Sequence, residues 1–139
     1  MKRIVVDASV AVAWFAAEAD SDRAEQVQSS GAELLAPSLL LAEIGNALLT
    51  KARRKTVPHG HAQAVLAELR RSGMLTLFDM DILAMPACVI AERLSHPIYD
   101  CLYLALAQRE QAEIATFDRR MAELAARLAI PLVPLEPPA

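Results

Sequence analysis

Short aliphatic runs alternate along this chain with longer stretches in which apolar side chains recur every three to four positions. The short runs are Ile4 to Val6, Glu33 to Ala36, Leu75 to Phe78, Glu113 to Thr116 and Leu132 to Leu135. Their length and β-branched character predict strands, whereas the 3.6-residue period predicts helices. The helical stretches are Ser9 to Ala17, Ser21 to Ser30, Ser38 to Arg54, His59 to Ser72, Ile82 to Leu94, Pro97 to Gln111 and Asp118 to Leu128. Pro86 unsettles the start of the fifth long helix, because proline removes a helical donor. Strand alternating with helix predicts a parallel sheet covered on both faces, a three-layer α/β/α sandwich. The absence of repeats, low-complexity tracts and Gly/Ser linkers predicts one domain over residues 1–135, with 136–139 a short C-terminal tail.

Composition narrows the picture. A chain of 139 residues with 55% hydrophobic content can bury a core without disulfides or structural metals. Its net charge of -3 argues against a protein that coats nucleic acid indiscriminately, yet leaves room for a local basic patch. Cys88 and Cys101 lie in apolar surroundings without metal-ligand spacing, so both read as buried thiols in a reducing compartment. The opening "MKRIVVDASVAVAWFAAEA" has the outline of a secretory signal, but Asp7 interrupts its apolar run. A buried first strand ending in a polar residue accounts for it equally well. No other run is long and apolar enough to span a bilayer, so the expectation is a soluble cytoplasmic protein.

In open parallel sheets the crevice lies at the carboxyl ends of the strands. Asp7 ends the first predicted strand, and Asp118 follows the fourth, just after Thr116. Each acid has a plain structural reading: Asp7 and Asp118 suit helix N-caps, and Asp100 suits the first turn of a helix. Glu43 lies beside the stripe Leu40, Leu41, Ile44, Ala47 and Leu48, and it shares a helix face with Asn46, Thr50 and Arg54, which reads equally as a solvated face. Asp100 is less easily solvated, since its helix is apolar nearly all round. An ionised carboxylate there must take up a proton or find a cation. Four acids sharing one crevice need compensation, and a hard divalent ion such as Mg²⁺ supplies it through oxygen ligands.

Four motifs in this order, "IVVDASV", "APSLLLAEIGNAL", "IYDCLYLALAQ" and "IATFDRRM", resemble the PIN domain of the VapC type, the nuclease toxin of toxin–antitoxin pairs. The likeness runs from residue 4 to about residue 135. It implies a parallel sheet of about five strands. It also implies that Asp7, Glu43, Asp100 and Asp118 hold Mg²⁺ or Mn²⁺, supported by Ser9 and Thr116, and that a metal-activated water cuts RNA to leave a 5′-phosphate and a 3′-hydroxyl. Asn46 matches a family helix position and is assigned to orienting Glu43 or to packing. Departures are Cys101, where a small residue is usual, the pair His96-Pro97, and the lack of a glycine before the fourth strand.

The resemblance further implies a homodimer and a VapB-like antitoxin whose C-terminal segment lies along a groove near the first helix. Trp14 and Phe15, in an unusually apolar stretch, are the groove candidates. An RNA substrate needs cations, and Lys51, Arg54, Arg119 and Arg120 are the candidates, with a solvated helix end as the plain reading of "KARRK". Arg70 and Arg71 are further basic residues, and 4% aromatic content argues against a base-stacking ladder. His59, His61 and His96 lie outside the acidic motifs and read as loop or helix-end residues. Two other functions compete. An aspartyl-phosphate phosphatase needs a second acid two residues after Asp7, where Ser9 stands; a PIN-like module that binds RNA or protein without cutting needs no acids at all.

Overall fold

The computed structural model describes residues 1–135; the predicted tail at 136–139 lies outside them. In chain order the elements are β1 (Arg3–Val6), α1 (Ala8–Ala13), α2 (Ser21–Gln28), β2 (Glu33–Pro37), α3 (Leu39–Arg53) and α4 (His61–Ser72). They are followed by β3 (Thr76–Phe78), α5 (Met80–Leu94), α6 (Ile98–Glu110), β4 (Glu113–Ala115) and α7 (Arg119–Arg127). The strands form one parallel sheet in the order β3-β2-β1-β4, flanked by helices as the alternating pattern predicts.

The chain lays β2 and β3 on one side of β1 and then returns to place β4 on the other. The topology therefore reverses between β1 and β4, and the crevice opens at their carboxyl ends. Val5 pairs with Ile114 and Val6 with Ala115, so Asp7 and Thr116 emerge side by side.

The sheet has four strands where five runs were predicted. The last run contributes a single parallel bridge, Leu132 to Ile114, with Val133 N–H donating to the Ile114 carbonyl at 2.9 Å. Pro131 and Pro134 flank this contact, and prolines cannot donate to a ladder, so the strand goes no further.

Helix α6 is the inner element. Cys101 to Ala107 are all buried, and the helix packs on α5, β1, β2 and β4. That explains its lack of an amphipathic pattern: neighbours cover it on every side, each buried leucine contributing about 2 kcal/mol. Helix α5 starts two residues earlier than predicted and runs through Pro86, which faces outward where water can satisfy the freed carbonyl. Its buried stripe is Leu83, Ala87, Ile90 and Leu94. Cys88 falls off that stripe and is exposed, contrary to the reading of both thiols as buried. Among the described residues no helix is long and apolar enough to cross a membrane.

The missing glycine before β4 is also explained. Gln111 adopts φ 52°, the left-handed conformation that glycine takes without strain, and Ala112 N–H closes onto the Ala107 carbonyl at 3.0 Å. The turn has the usual helix-ending geometry with a costlier residue in it.

Candidate active site: carboxylates at the sheet switch point

Asp7 is the one charged side chain buried among the described residues, 5% exposed at the end of β1. Its Oδ1 accepts from Ser9 Oγ at 2.6 Å and from Val10 N–H at 3.3 Å, and its Oδ2 accepts from the Thr116 hydroxyl. Both hydroxyls are themselves fixed: Ser9 Oγ accepts Phe117 N–H and Thr116 Oγ1 accepts Asp118 N–H, each at 2.9 Å. The loop carrying Asp118 is thereby bolted to Asp7 from two sides. Burial raises the Asp7 pKa to about 6, against the pull of Ser9, Thr116 and Val10, while the Asp118 charge pushes it further up.

Asp118 caps α7, accepting Arg120 N–H at 2.9 Å. The cap readings of Asp7 and Asp118 are both correct, and neither exhausts its residue: Asp7 is buried without a cation, and the two acids act on each other electrostatically.

Across the crevice, Glu43 on α3 accepts from the Tyr103 hydroxyl on α6. Burial raises the Glu43 pKa, the Tyr103 bond lowers it, and the Asp100 charge raises it again. The Tyr103 hydroxyl is held protonated by burial, by its bond to Glu43 and by the charges of Glu43, Asp7 and Asp100. It therefore lies within electrostatic reach of three of the four acids. Asn46 is exposed, and the hydroxyl that orients Glu43 is that of Tyr103, which corrects the assignment to Asn46.

Asp100 opens α6 with its side chain 34% exposed, and its Oδ2 lies 2.8 Å from His96 Nε2. His96 lies outside the acidic motifs in the sequence, yet the structure places it against Asp100. The one sequence signal was its four-residue spacing from Asp100, obscured by the intervening Pro97.

Among the described residues no three or more acidic, histidine or cysteine side chains stand close enough together to hold a metal ion as they are placed. The acids act on each other in two pairs, Asp7 with Asp118 and Glu43 with Asp100. Within the described residues, Asp7, Glu43 and Asp118 pair with no lysine, arginine or histidine. An all-oxygen donor set with uncompensated, mutually repelling charge fits a hard cation that keeps several waters, as Mg²⁺ does.

The basic candidates divide by position. Arg119 and Arg120 are exposed beside Asp118. Lys51 lies 2.9 Å from Glu18 and, with Ser9, Phe117 and Asp118, lines a depression of about 460 Å³. Arg54 ends α3 eleven residues from Glu43, about 16 Å along the helix, and is not brought to the acids. Trp14 donates from Nε1 to the Ala24 carbonyl at 2.8 Å, and Phe15 offers its carbonyl to His61 Nε2–H at 2.6 Å. Together with Glu25 and Gln28 they line a second depression of about 560 Å³, to which His61 belongs as the first residue of α4, a helix-end position as expected.

The parallel α/β/α sandwich sets Asp7 and Asp118 at its switch point, where open α/β sheets bind their ligands, and comparison with known proteins gives the class: a nuclease domain. The PIN-domain profile matches residues 4–127. Over 122 residues the chain is 31% identical to Ribonuclease VapC3 of Pyrobaculum aerophilum, covering 87% of this chain and 93% of that one. This chain belongs to the PIN-domain family, on its VapC side. Solved structures share the fold. VapC20 of Mycobacterium tuberculosis, described as a sarcin-ricin loop cleaving toxin, has a TM-score of 0.67 at 19% identity, over 86% of this chain and 93% of its own. A toxin–antitoxin complex from Klebsiella pneumoniae has a TM-score of 0.63 at 14% identity, over 83% and 86%.

Proposed function

We propose that this protein is a divalent-metal-dependent endoribonuclease and the toxin of a VapBC-type toxin–antitoxin pair. The observation that carries the reading is Asp7: buried, raised to about 6, clamped by two hydroxyls and facing the other acids with no cation of the chain's own. The 31% identity to a VapC ribonuclease over nearly the whole chain supports the substrate class.

Asp7, Asp118, Asp100 and Glu43 would hold Mg²⁺, or Mn²⁺, directly or through water. The bound ion supplies a water of lowered pKa and neutralises charge on the scissile phosphodiester. The chain's own groups orient the site: Ser9 and Thr116 aim both Asp7 oxygens, and Tyr103 aims Glu43. Arg119, Arg120 and Lys51 line the approach for flanking phosphates, with Arg54 further out along α3. Purified protein should cut an RNA pool when Mg²⁺ or Mn²⁺ is added and stop on chelation, leaving 5′-phosphate and 3′-hydroxyl ends. An RNA pool left intact across a metal titration would sink the nuclease reading in favour of a non-cutting binding module.

Residues 1–135 act as one domain in this reading, in the cytoplasm and as a homodimer, with a VapB-like antitoxin as the partner. The depression bordered by Trp14 and Phe15 is the proposed seat of the antitoxin's apolar segment. The paired changes Trp14→Ala and Phe15→Ala should weaken antitoxin binding at least tenfold in a titration, as expected for buried aromatic anchors. Unchanged affinity would remove this surface from the proposal.

A further inference from the structure

We propose that His96 is a positioning residue which, with Arg120, forms a strut between the two walls of the acidic crevice. The inference rests on Asp100 and Asp118 being metal-holding acids. It concerns how their separation is set.

The strut is continuous. Arg120 N–H holds Asp118 Oδ1 at 2.9 Å, Arg120 Nη2 lies 3.2 Å from His96 Nδ1, and His96 Nε2 lies 2.8 Å from Asp100 Oδ2. Asp118 stands at the head of α7 and Asp100 at the head of α6, so these contacts tie together two helix starts through acids that are 18 residues apart. Donor chemistry fixes the imidazole's form. A guanidinium N–H can only donate, so Nδ1 is the acceptor. The ring proton is then on Nε2, which donates to Asp100. An imidazolium would set an N–H against the guanidinium, and the other neutral tautomer would face Asp100 with a lone pair.

The backbone delivers this ring in one orientation. Helix α5 ends with Ser95 at φ 51°, Ser95 N–H bonding the Glu92 carbonyl at 3.4 Å and His96 N–H the Ala91 carbonyl at 3.0 Å. That paired closure fixes the residue after the left-handed one. Pro97 then restricts His96 to an extended conformation. The imidazole itself is only 9% exposed. A histidine held by a helix-ending motif, a proline and two side-chain bonds is built in, and hydrogen bonds of this kind orient metal-ligating carboxylates.

The test reads Mn²⁺ affinity of the RNA-free protein by electron paramagnetic resonance, together with the imidazole ¹⁵N spectrum of the metal-free wild type. His96→Leu should weaken Mn²⁺ binding about 10- to 100-fold. His96→Gln, whose amide nitrogen can reach the Nε2 position, should restore most of it and controls for misfolding. Arg120→Gln should change affinity differently in the wild type and in His96→Leu, because the strut couples the two residues while the effect of lost charge cancels. Wild-type affinity in His96→Leu, or the same Arg120→Gln effect in both backgrounds, would overturn the strut. So would an Nδ1–H tautomer in the wild type. If the wild type binds no Mn²⁺, it is the metal reading that fails, and the tautomer still decides the strut.

Discussion

Asp7→Asn is expected to abolish RNA cleavage and, at the same time, to make the metal-free protein more stable above pH 6. The first effect is the loss of a metal ligand, worth about 4 kcal/mol of transition-state stabilisation or about a thousandfold in rate. The second follows from burial. A carboxyl raised from 3.8 to about 6 costs nothing below 3.8, where folded and unfolded chains both carry the proton. The cost grows between those values and is complete above about 6, where it reaches about 3 kcal/mol. Asparagine keeps the shape without the charge: its oxygen can accept from Ser9 Oγ and Val10 N–H, and the rotatable Thr116 hydroxyl can accept from its amide. Melting in chelator should therefore show a gain of up to about 10 °C at pH 8 that shrinks towards pH 4. Retained cleavage would remove Asp7 from the metal site, and a lower melting temperature at pH 8 would refute the burial argument.

Removing the two hydroxyls around Asp7, as Ser9→Ala with Thr116→Val, should act in the opposite sense on the same carboxyl. Both side chains donate to it and lower its pKa, so their loss lets burial raise it further above about 6. A hydrogen bond to a charged group is worth about 1.5–3 kcal/mol, or about one to two pH units for each bond. Asp7 would then stay protonated at neutral pH and release its hold on a cation. The acid limb of the pH–rate profile should move up by at least about one unit, with cleavage at pH 7 down at least tenfold. The loop carrying Asp118 loses two anchors as well, because the same hydroxyls accept Phe117 N–H and Asp118 N–H. Carboxyl ¹³C titration checks this directly: an Asp7 midpoint unchanged from the wild type would show that the hydroxyls do not tune it.

How much of this was legible beforehand varies with the kind of residue. The strands were visible because buried parallel strands are short aliphatic runs, and Asp7 and Asp118 were visible because each ends such a run at a helix start. The fifth run looked equally good, yet Pro131 and Pro134 reduce it to one bridge, since a ladder depends on donors as well as on hydrophobicity. Cys88 looked as apolar as Cys101, but it falls off the buried stripe of α5, whereas α6 is buried all along Cys101 to Ala107. Asn46 shared a helix face with Glu43, but a hydroxyl 60 residues away on another helix took the bond.

The sequence by itself determined the alternation of strand and helix, the apolar character of α6 and the four acids, because these depend on local period and residue type. Only the tertiary structure decided which donors those acids face. Tyr103 reaches Glu43 because α6, packed on the sheet, turns it towards α3, Thr116 reaches Asp7 because β4 returns to the far side of β1, and His96 reaches Asp100 because α5 ends in a left-handed turn. Hydrogen bonds require atoms within about 3 Å, and for residues far apart in the chain that distance is a property of packing, which a one-dimensional pattern does not contain.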